Sequence, residues 1–414
     1  MGTETEGAVA VRAIPGSPAL RHVIRESNFH GNAADVGGGV SLSAAGDAGY
    51  LIEACTFVNN SGTSGGGALS AKGKNAGVAA TEVTQCTFQS NRAKIGGAVM
   101  VSDARRLLLN ASGFENNSAD LISGKGGALY AEDQAIIEVD GSAFLVNAAF
   151  NGGAVSLSMK AQALLRESLI GRNMALSVGG GFFLEDEAQA VLVNSAVHEN
   201  VAFTGGGMLV HAEASLQLLG SLLEENVATT VIGMAECNPL GLVRCGHGGA
   251  VATAVRGTLH TVNVTARGNR AKAYGGFLFS ATLGDVVISG STVVHNSAEL
   301  AGGGSVMWIA QKARGADGPA PMIVNGSVLA GNTAKYGTDG GESLATNWQT
   351  FGVVLNETQW GAVVSGGTMP DVHCEYYDLY QNQVHFAQVC QPNHVIAQCS
   401  NVIALDLGRL PSQA

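Results

Sequence analysis

His247, held between Gly246 and Gly248, is the side chain that could most readily move a proton on a glycosidic bond. Hydrolysis of such a bond needs two carboxyl groups flanking it, one as acid and one as base or nucleophile. The sequence has no Asp-Asp pair and no Asn-Thr-Asp. Its nearest fragment is Thr338-Asp339, and a lone Asp in a turn reads as structural. An eliminative reaction needs carboxylates clustered on Ca²⁺ beside a basic residue. Glu185, Asp186 and Glu187 are consecutive, so on a strand they point alternately, and they read as a solvated edge. The histidines, among them His22, His30, His198, His211, His260, His295, His373, His385 and His394, show no metal-ligand spacing. The glycine-rich Ca²⁺ nonapeptide and the Thr-x-Thr ladder are both missing. The expectation is therefore no catalytic, cofactor-binding or metal-binding residue, and His247 is explained by the repeat described below.

The seven cysteines sort into three groups. Cys55 and Cys86 occupy equivalent repeat positions on neighbouring units, slightly too far apart for a relaxed bridge, and read as reduced core residues. Cys237 and Cys245 flank Pro239 and Gly241, and a disulfide between them would close a short loop. Cys374, Cys390 and Cys399 lie in the tail, an odd number whose pairing stays open.

The elements that would position these residues follow from an internal repeat. A small residue, a spacer, an apolar residue, two spacers and Asn recur, ending at Asn32, Asn60, Asn91, Asn117, Asn147, Asn173, Asn200, Asn226, Asn269, Asn296 and Asn332. After each Asn comes a Gly-Gly pair, from Gly38-Gly39 through Gly248-Gly249 to Gly340-Gly341. Most Asn-to-Asn gaps are 26 to 31 residues, with longer ones of 43 and 36. Paired glycines at every period would cost a helix about 1 kcal/mol each, and the local alternation has period two. The expected fold is all-β, a right-handed single-stranded parallel β-helix (solenoid) of about eleven coils with a divergent C-terminal segment.

The columns have a physical logic. Three residues before each Asn stand Phe29, Phe57, Phe88, Phe114, Phe144, Ile170, Val197, Leu223, Ala266, Val293 and Leu329, an inward stack. Two residues earlier the column is Ser or Cys, except for Val264. The Asn can adopt a left-handed turn and bond the Asn above and below, so the eleven are expected to form a structural ladder.

Composition agrees with a thin β scaffold. There are 58 glycines in 414 residues, and only 13% of residues are charged. A net charge of −11 without a basic cluster excludes nucleic-acid backbone binding. The uncharged stretch between Asp140 and Lys160 breaks into short alternating pieces, so no transmembrane segment is expected. Met1 precedes an acidic segment without the apolar core of a signal peptide. Residues 7–11, GAVAV, match the second half of a repeat, which points to a fragment of a longer protein. Residues 1–345 are assigned to the β-helix, with insertions near 227–247 and 311–321. Residues 346–414 read as a cap or the start of a cysteine-containing segment. Six Asn-x-Ser/Thr sequons permit glycosylation.

Alternating FxxN and GGA[ILV] units resemble the repeat region of the chlamydial polymorphic outer membrane proteins. Ala68-Leu69, Ala98-Val99, Ala128-Leu129, Ala154-Val155 and Ala250-Val251 complete the second unit in full. The resemblance implies an extracellular or cell-surface β-helix used in adhesion or ligand presentation. Its partner would be an unidentified surface protein or glycan, and the oligomeric state is open. The alternative is a polysaccharide-active β-helix enzyme, similar to pectin lyases and polygalacturonases. The loop between Asn226 and Gly248, the longest departure from the period, is the expected recognition element.

Overall fold

The computed structural model describes residues 7–12, 21–43, 49–73, 80–230, 246–301, 306–309, 322–336, 344–347, 354–356, 359–360, 373–378 and 383–388. All described secondary structure is β, and every pairing in the coils is parallel. One coil shows the plan. Val99–Val101 belongs to sheet 1, Arg106–Asn110 to sheet 2, Gly113–Glu115 to sheet 3 and Ser118–Ala119 to sheet 4. The chain then passes a Gly-Gly turn and re-enters sheet 1 at Leu129–Ala131, in register with Val99–Val101. A parallel β-solenoid of this kind is the expected architecture.

The coils fall into two units, residues 1–202 with 214–216, and residues 203–213 with 217–414. In the first, sheet 1 runs from Val9–Arg12 to Phe182–Leu184, and sheet 3 from Asn28–His30 to Ala196–His198. In the second, sheet 3 starts at Leu222–Glu224, and sheets 2 and 3 continue to Val354–Asn356 and Gln359–Trp360. His373–Asp378 and Gln383–Gln388 form an antiparallel pair. Residues 311–321, Cys237, Cys245 and most of the segment between Asn226 and Gly248 lie outside the described residues.

Sequence periodicity becomes packing through the strand spacing. Phe29, Phe57, Phe88, Phe114 and Phe144 stack with centroids 4.6–4.8 Å apart and planes within 6° of parallel. That separation is the distance between neighbouring strands, so one ring per coil fills the column without a gap. Leu107 and Leu109 on sheet 2 and Val99 and Val101 on sheet 1 close the rest of this core.

The Gly-Gly turns have two separate causes. The first glycine, such as Gly96 or Gly126, has φ of 57° or 65°, where a side chain is strained. The second is excluded from having a side chain by contact. A Cβ on Gly97 would lie 2.1 Å from the Gly127 carbonyl oxygen of the next coil. These turns also lie over the outward side chains of sheet 1, which explains why Met100, Tyr130 and Phe183 are buried although Val99 and Val101 face the core.

The left-handed residue of the third corner is not the ladder Asn. It is the residue before it, including Asn59, Ser90, Asn116, Val146, Arg172 and Glu199, with φ of 52–58°. The backbone reverses there, one step early, which frees the Asn side chain to turn inward.

Candidate functional site

His247 lies inside the turn layer. Its ring is buried, with its centroid 4.5 Å from that of Phe279 and 5.4 Å from that of Tyr274. Its carbonyl accepts the Gly205 N–H at 2.8 Å. The imidazole therefore packs as an aromatic layer between coils and presents no ring nitrogen to a polymer on the surface. Glu185, Asp186 and Glu187 are not on a strand. Asp186 and Glu187 are the two left-handed residues, φ 53° and 61°, of the turn between sheets 1 and 2, and Glu185 precedes them at the end of sheet 1.

The ladder asparagines come together within each unit. In the first, Nδ2 of Asn32, Asn60, Asn91, Asn117, Asn147 and Asn173 each donates to Oδ1 of the next ladder Asn at 2.8–3.0 Å, the series ending at Asn200. In the second, Asn226, Asn269 and Asn296 do the same toward Asn332 at 2.8–2.9 Å. The same Oδ1 takes the backbone N–H of its neighbour, as Asn91 N to Asn117 Oδ1 at 3.0 Å, and Nδ2 reaches a carbonyl of the phenylalanine column. All but Asn32 are buried. Such chains are saturated by protein and leave no polar atom facing a ligand. The small-residue column is a second chain: Cys55 N donates to Cys86 Sγ at 3.4 Å, and Cys86 N to Ser112 Oγ at 3.1 Å. Cys55 and Cys86 are both free and buried. Burial pushes the Cys86 thiol up to about 12, ahead of smaller contributions from Cys55 and Thr84.

A polar cluster absent from the sequence reading sits where sheet 1 ends. Register places Ser102, Glu132, Ser158 and Glu185 in one column, each donating its N–H to the preceding coil. The Tyr130 hydroxyl contacts Glu132 Oε2 and Ser158 Oγ, each at 2.9 Å. Lys125 is ion-paired with Glu185. Burial raises both the Glu132 carboxyl and the Tyr130 phenol. Arg105 is a further surprise. It is fully buried at the position that Ala135, Ala161 and Ala188 hold on later coils, with Nε 3.0 Å from Thr81 Oγ1 and its guanidinium 4.9 Å from the Tyr50 ring centroid.

The outward face of sheet 4 changes character along the first unit. One and three residues after the ladder Asn stand Ser61 and Thr63, then Arg92 and Lys94, then Ser118 and Asp120. The next coils carry Ala148 and Phe150, then Met174 and Leu176, then Val201. The residues between them, Ala149, Ala175 and Ala202, are buried. Beside this stripe the Asp120 carboxylate accepts the N–H groups of Ile122 and Ser123 and the Ser123 hydroxyl, fixing a turn whose Ile122 is 81% exposed. The signal was present in the sequence at fixed offsets from the Asn, and becomes legible once those offsets are known to point outward.

Among the described residues no helix is long and apolar enough to cross a membrane, and no group of three or more His, Cys, Asp or Glu could hold a metal ion. No curated protein and no solved structure matches the chain. The family described as the right handed beta helix region matches residues 19–238, more than half of the sequence. With its parallel coils and alternating inward columns, the chain belongs to the right handed beta helix family.

Proposed function

We propose that the chain is a non-catalytic scaffold, displayed at a cell surface or secreted, that presents a binding face in adhesion to a surface protein or glycan. The observation that carries this reading is the outward face of sheet 4. A solvent-facing strand surface normally alternates to polar residues, and here successive coils turn it apolar without covering it. Contiguous exposed apolar surface on a soluble scaffold marks a contact site. The likeness of the GGA[ILV]/FxxN repeat to chlamydial polymorphic outer membrane proteins supports surface display. Beads coated with the chain are expected to adhere to intact cells, and the variant Ile122→Asn/Met174→Ser to adhere less. Adhesion no better than that of albumin-coated beads, across a panel of microbial and animal cells, would refute the reading.

One observation favours a polysaccharide-active enzyme as a second reading. Glu132 and Glu185 share a column with Ser158 between them. Two strand spacings put them roughly 9.6 Å apart along the column, near the upper end of the separation used by inverting glycosidases. Glu132 is also the carboxyl that burial pushes up. Against it, Glu185 is held by Lys125 and Glu132 by Tyr130, so neither is free to meet a substrate.

A further inference from the structure

We propose that Asn59, Asn110, Asn116, Asn263 and Asn325 are acceptor sites for N-linked oligosaccharide, and that the coils of the first unit with the apolar sheet 4 face are its carbohydrate-free stretch; this rests on the reading that the chain is displayed or secreted. Each of the five opens an Asn-x-Ser/Thr sequence, and each is exposed. All stand at corners of the coil. Asn59 and Asn116 hold the left-handed position before the ladder Asn, with φ 56° and 54°. Asn110 and Asn325 end strands of sheet 2, and Asn263 follows one, with φ 54°.

The eleven ladder asparagines are the contrast. Four are followed directly by a hydroxyl residue, Ser61, Ser118, Ser297 or Thr333, yet two residues on every one of the eleven has Ala or Gly. That position points inward on sheet 4, where Ala119, Ala149 and Ala175 are buried. Packing of the coil therefore keeps the buried Asn out of the acceptor sequence, and each acceptor amide is one that the ladder does not use. A second observation is where the sites stop. In the first unit they flank coils whose sheet 4 face is polar: Asn59 precedes Ser61 and Thr63, and Asn110 and Asn116 precede Ser118 and Asp120. Over residues 117–202, which carry Ala148, Phe150, Met174, Leu176 and Val201, no Asn opens the acceptor sequence. Oligosaccharide is bulky and hydrated, so it shields the polar coils and leaves the apolar ones to a partner. The donor is an oligosaccharide carried on a lipid diphosphate. The Asn Nδ2 forms a bond to the anomeric carbon, the anomeric carbon–oxygen bond breaks with its electron pair leaving on the diphosphate, and one amide proton passes to a base of the transferring enzyme.

The test is digestion of the full chain, purified from the cells that make it, with peptide N-glycosidase in heavy-oxygen water. Each glycosylated Asn becomes a labelled Asp that peptide mapping locates. Label is expected at three or more of the five sites and at no ladder Asn; fewer labelled sites, or a labelled ladder Asn, overturns the acceptor assignment. The bare stretch is tested by Val146→Asn/Ala148→Ser made in the same cells, which copies the order Asn59-Asn60-Ser61 and Asn116-Asn117-Ser118 onto the next coil. Val146 is exposed with φ 58°, and Ala148 pairs in register with Ser118, so the variant is expected to fold, as circular dichroism checks. With oligosaccharide at position 146 it should lose adhesion in the coated-bead assay and regain it on enzymatic removal. Adhesion retained with the oligosaccharide in place overturns the bare stretch. If no site is labelled while beads still adhere to cells, the acceptor assignment falls and the binding reading stands. If sites are labelled and beads do not adhere, the binding reading falls and the bare stretch with it.

Discussion

Replacing Asn117 by Ala removes one rung of the ladder, and its effect can be worked from the bonds lost. Asn117 Nδ2 donates to Phe88 O at 2.9 Å and Asn147 Oδ1 at 3.0 Å, and its Oδ1 accepts from Asn91 N and Asn91 Nδ2 at 3.0 Å each. Ala leaves the Asn91 backbone N–H stranded. Asn91 Nδ2 keeps Phe57 O, and Asn147 Oδ1 keeps the Asn117 N–H, so those two groups stay partly satisfied. One buried donor left wholly unpaired, three further groups each losing one partner (Asn91 Nδ2, Asn147 Oδ1 and Phe88 O) and a small void together cost about 2–3 kcal/mol. The control is Asn116→Gly. Asn116 is exposed, its side chain donates to Ser90 Oγ at 3.1 Å, and it has φ 54°, which glycine accepts without strain where Ala would not. Its expected effect is within about 0.5 kcal/mol. Stacked coils can open locally, so urea melts are paired with hydrogen exchange. Protection should fall at Asn91 and its neighbouring coils in the Asn117 variant alone. Equal melts for the two variants, or no local loss of protection, would refute the assignment of the ladder to stability.

Three further outcomes follow from the same geometry. Gly97→Ala, whose Cβ would meet the Gly127 carbonyl at 2.1 Å and Ser118 backbone at 2.5 Å, should lose about 3 kcal/mol or more, while Gly113→Ala, with nothing within 4 Å, should change stability by under about 0.5 kcal/mol in the same melts. The Cys86 thiol, pushed up to about 12 by burial, should resist iodoacetamide at about pH 8 until the chain unfolds; rapid labelling of the native protein would contradict its burial. Glu132, also raised by burial, contributes stability that is present below the unfolded carboxyl's ordinary value and is lost as pH rises through the folded one. Glu132→Gln should therefore flatten the decline in stability as pH rises above the ordinary carboxyl value of about 4.3, and a variant less stable than the parent at neutral pH would count against this.

The fold was legible because each column repeats one chemistry at one spacing: the phenylalanine run, the Ser/Cys run and the Asn run each name a direction relative to the core. Backbone conformation was less so. The left-handed corner falls on Ser90, Val146 and Arg172, residue types with no shared preference, because the corner is imposed by coil closure rather than chosen by the side chain. The same limit placed Glu185, Asp186 and Glu187 on one strand, when two of them make the turn. The Tyr130, Glu132, Ser158, Lys125 and Glu185 cluster was invisible because its members are gathered by register across coils of unequal length, 30 and 26 residues from Asn to Asn. Arg105 broke the pattern at a position where other coils carry Ala, and only its contact with Tyr50 and Thr81 shows how an arginine is accommodated there.

If this solenoid binds polymers rather than cleaving them, it should release no products from a polysaccharide. The full chain would be incubated with polygalacturonate and assayed for new reducing ends and for unsaturated products absorbing in the ultraviolet. Release at the rate of buffer alone is expected, unchanged in Glu132→Gln, Glu185→Gln and His247→Ala. Product formed above that rate and abolished by Glu132→Gln or Glu185→Gln would contradict it and place an acid–base pair at the end of sheet 1.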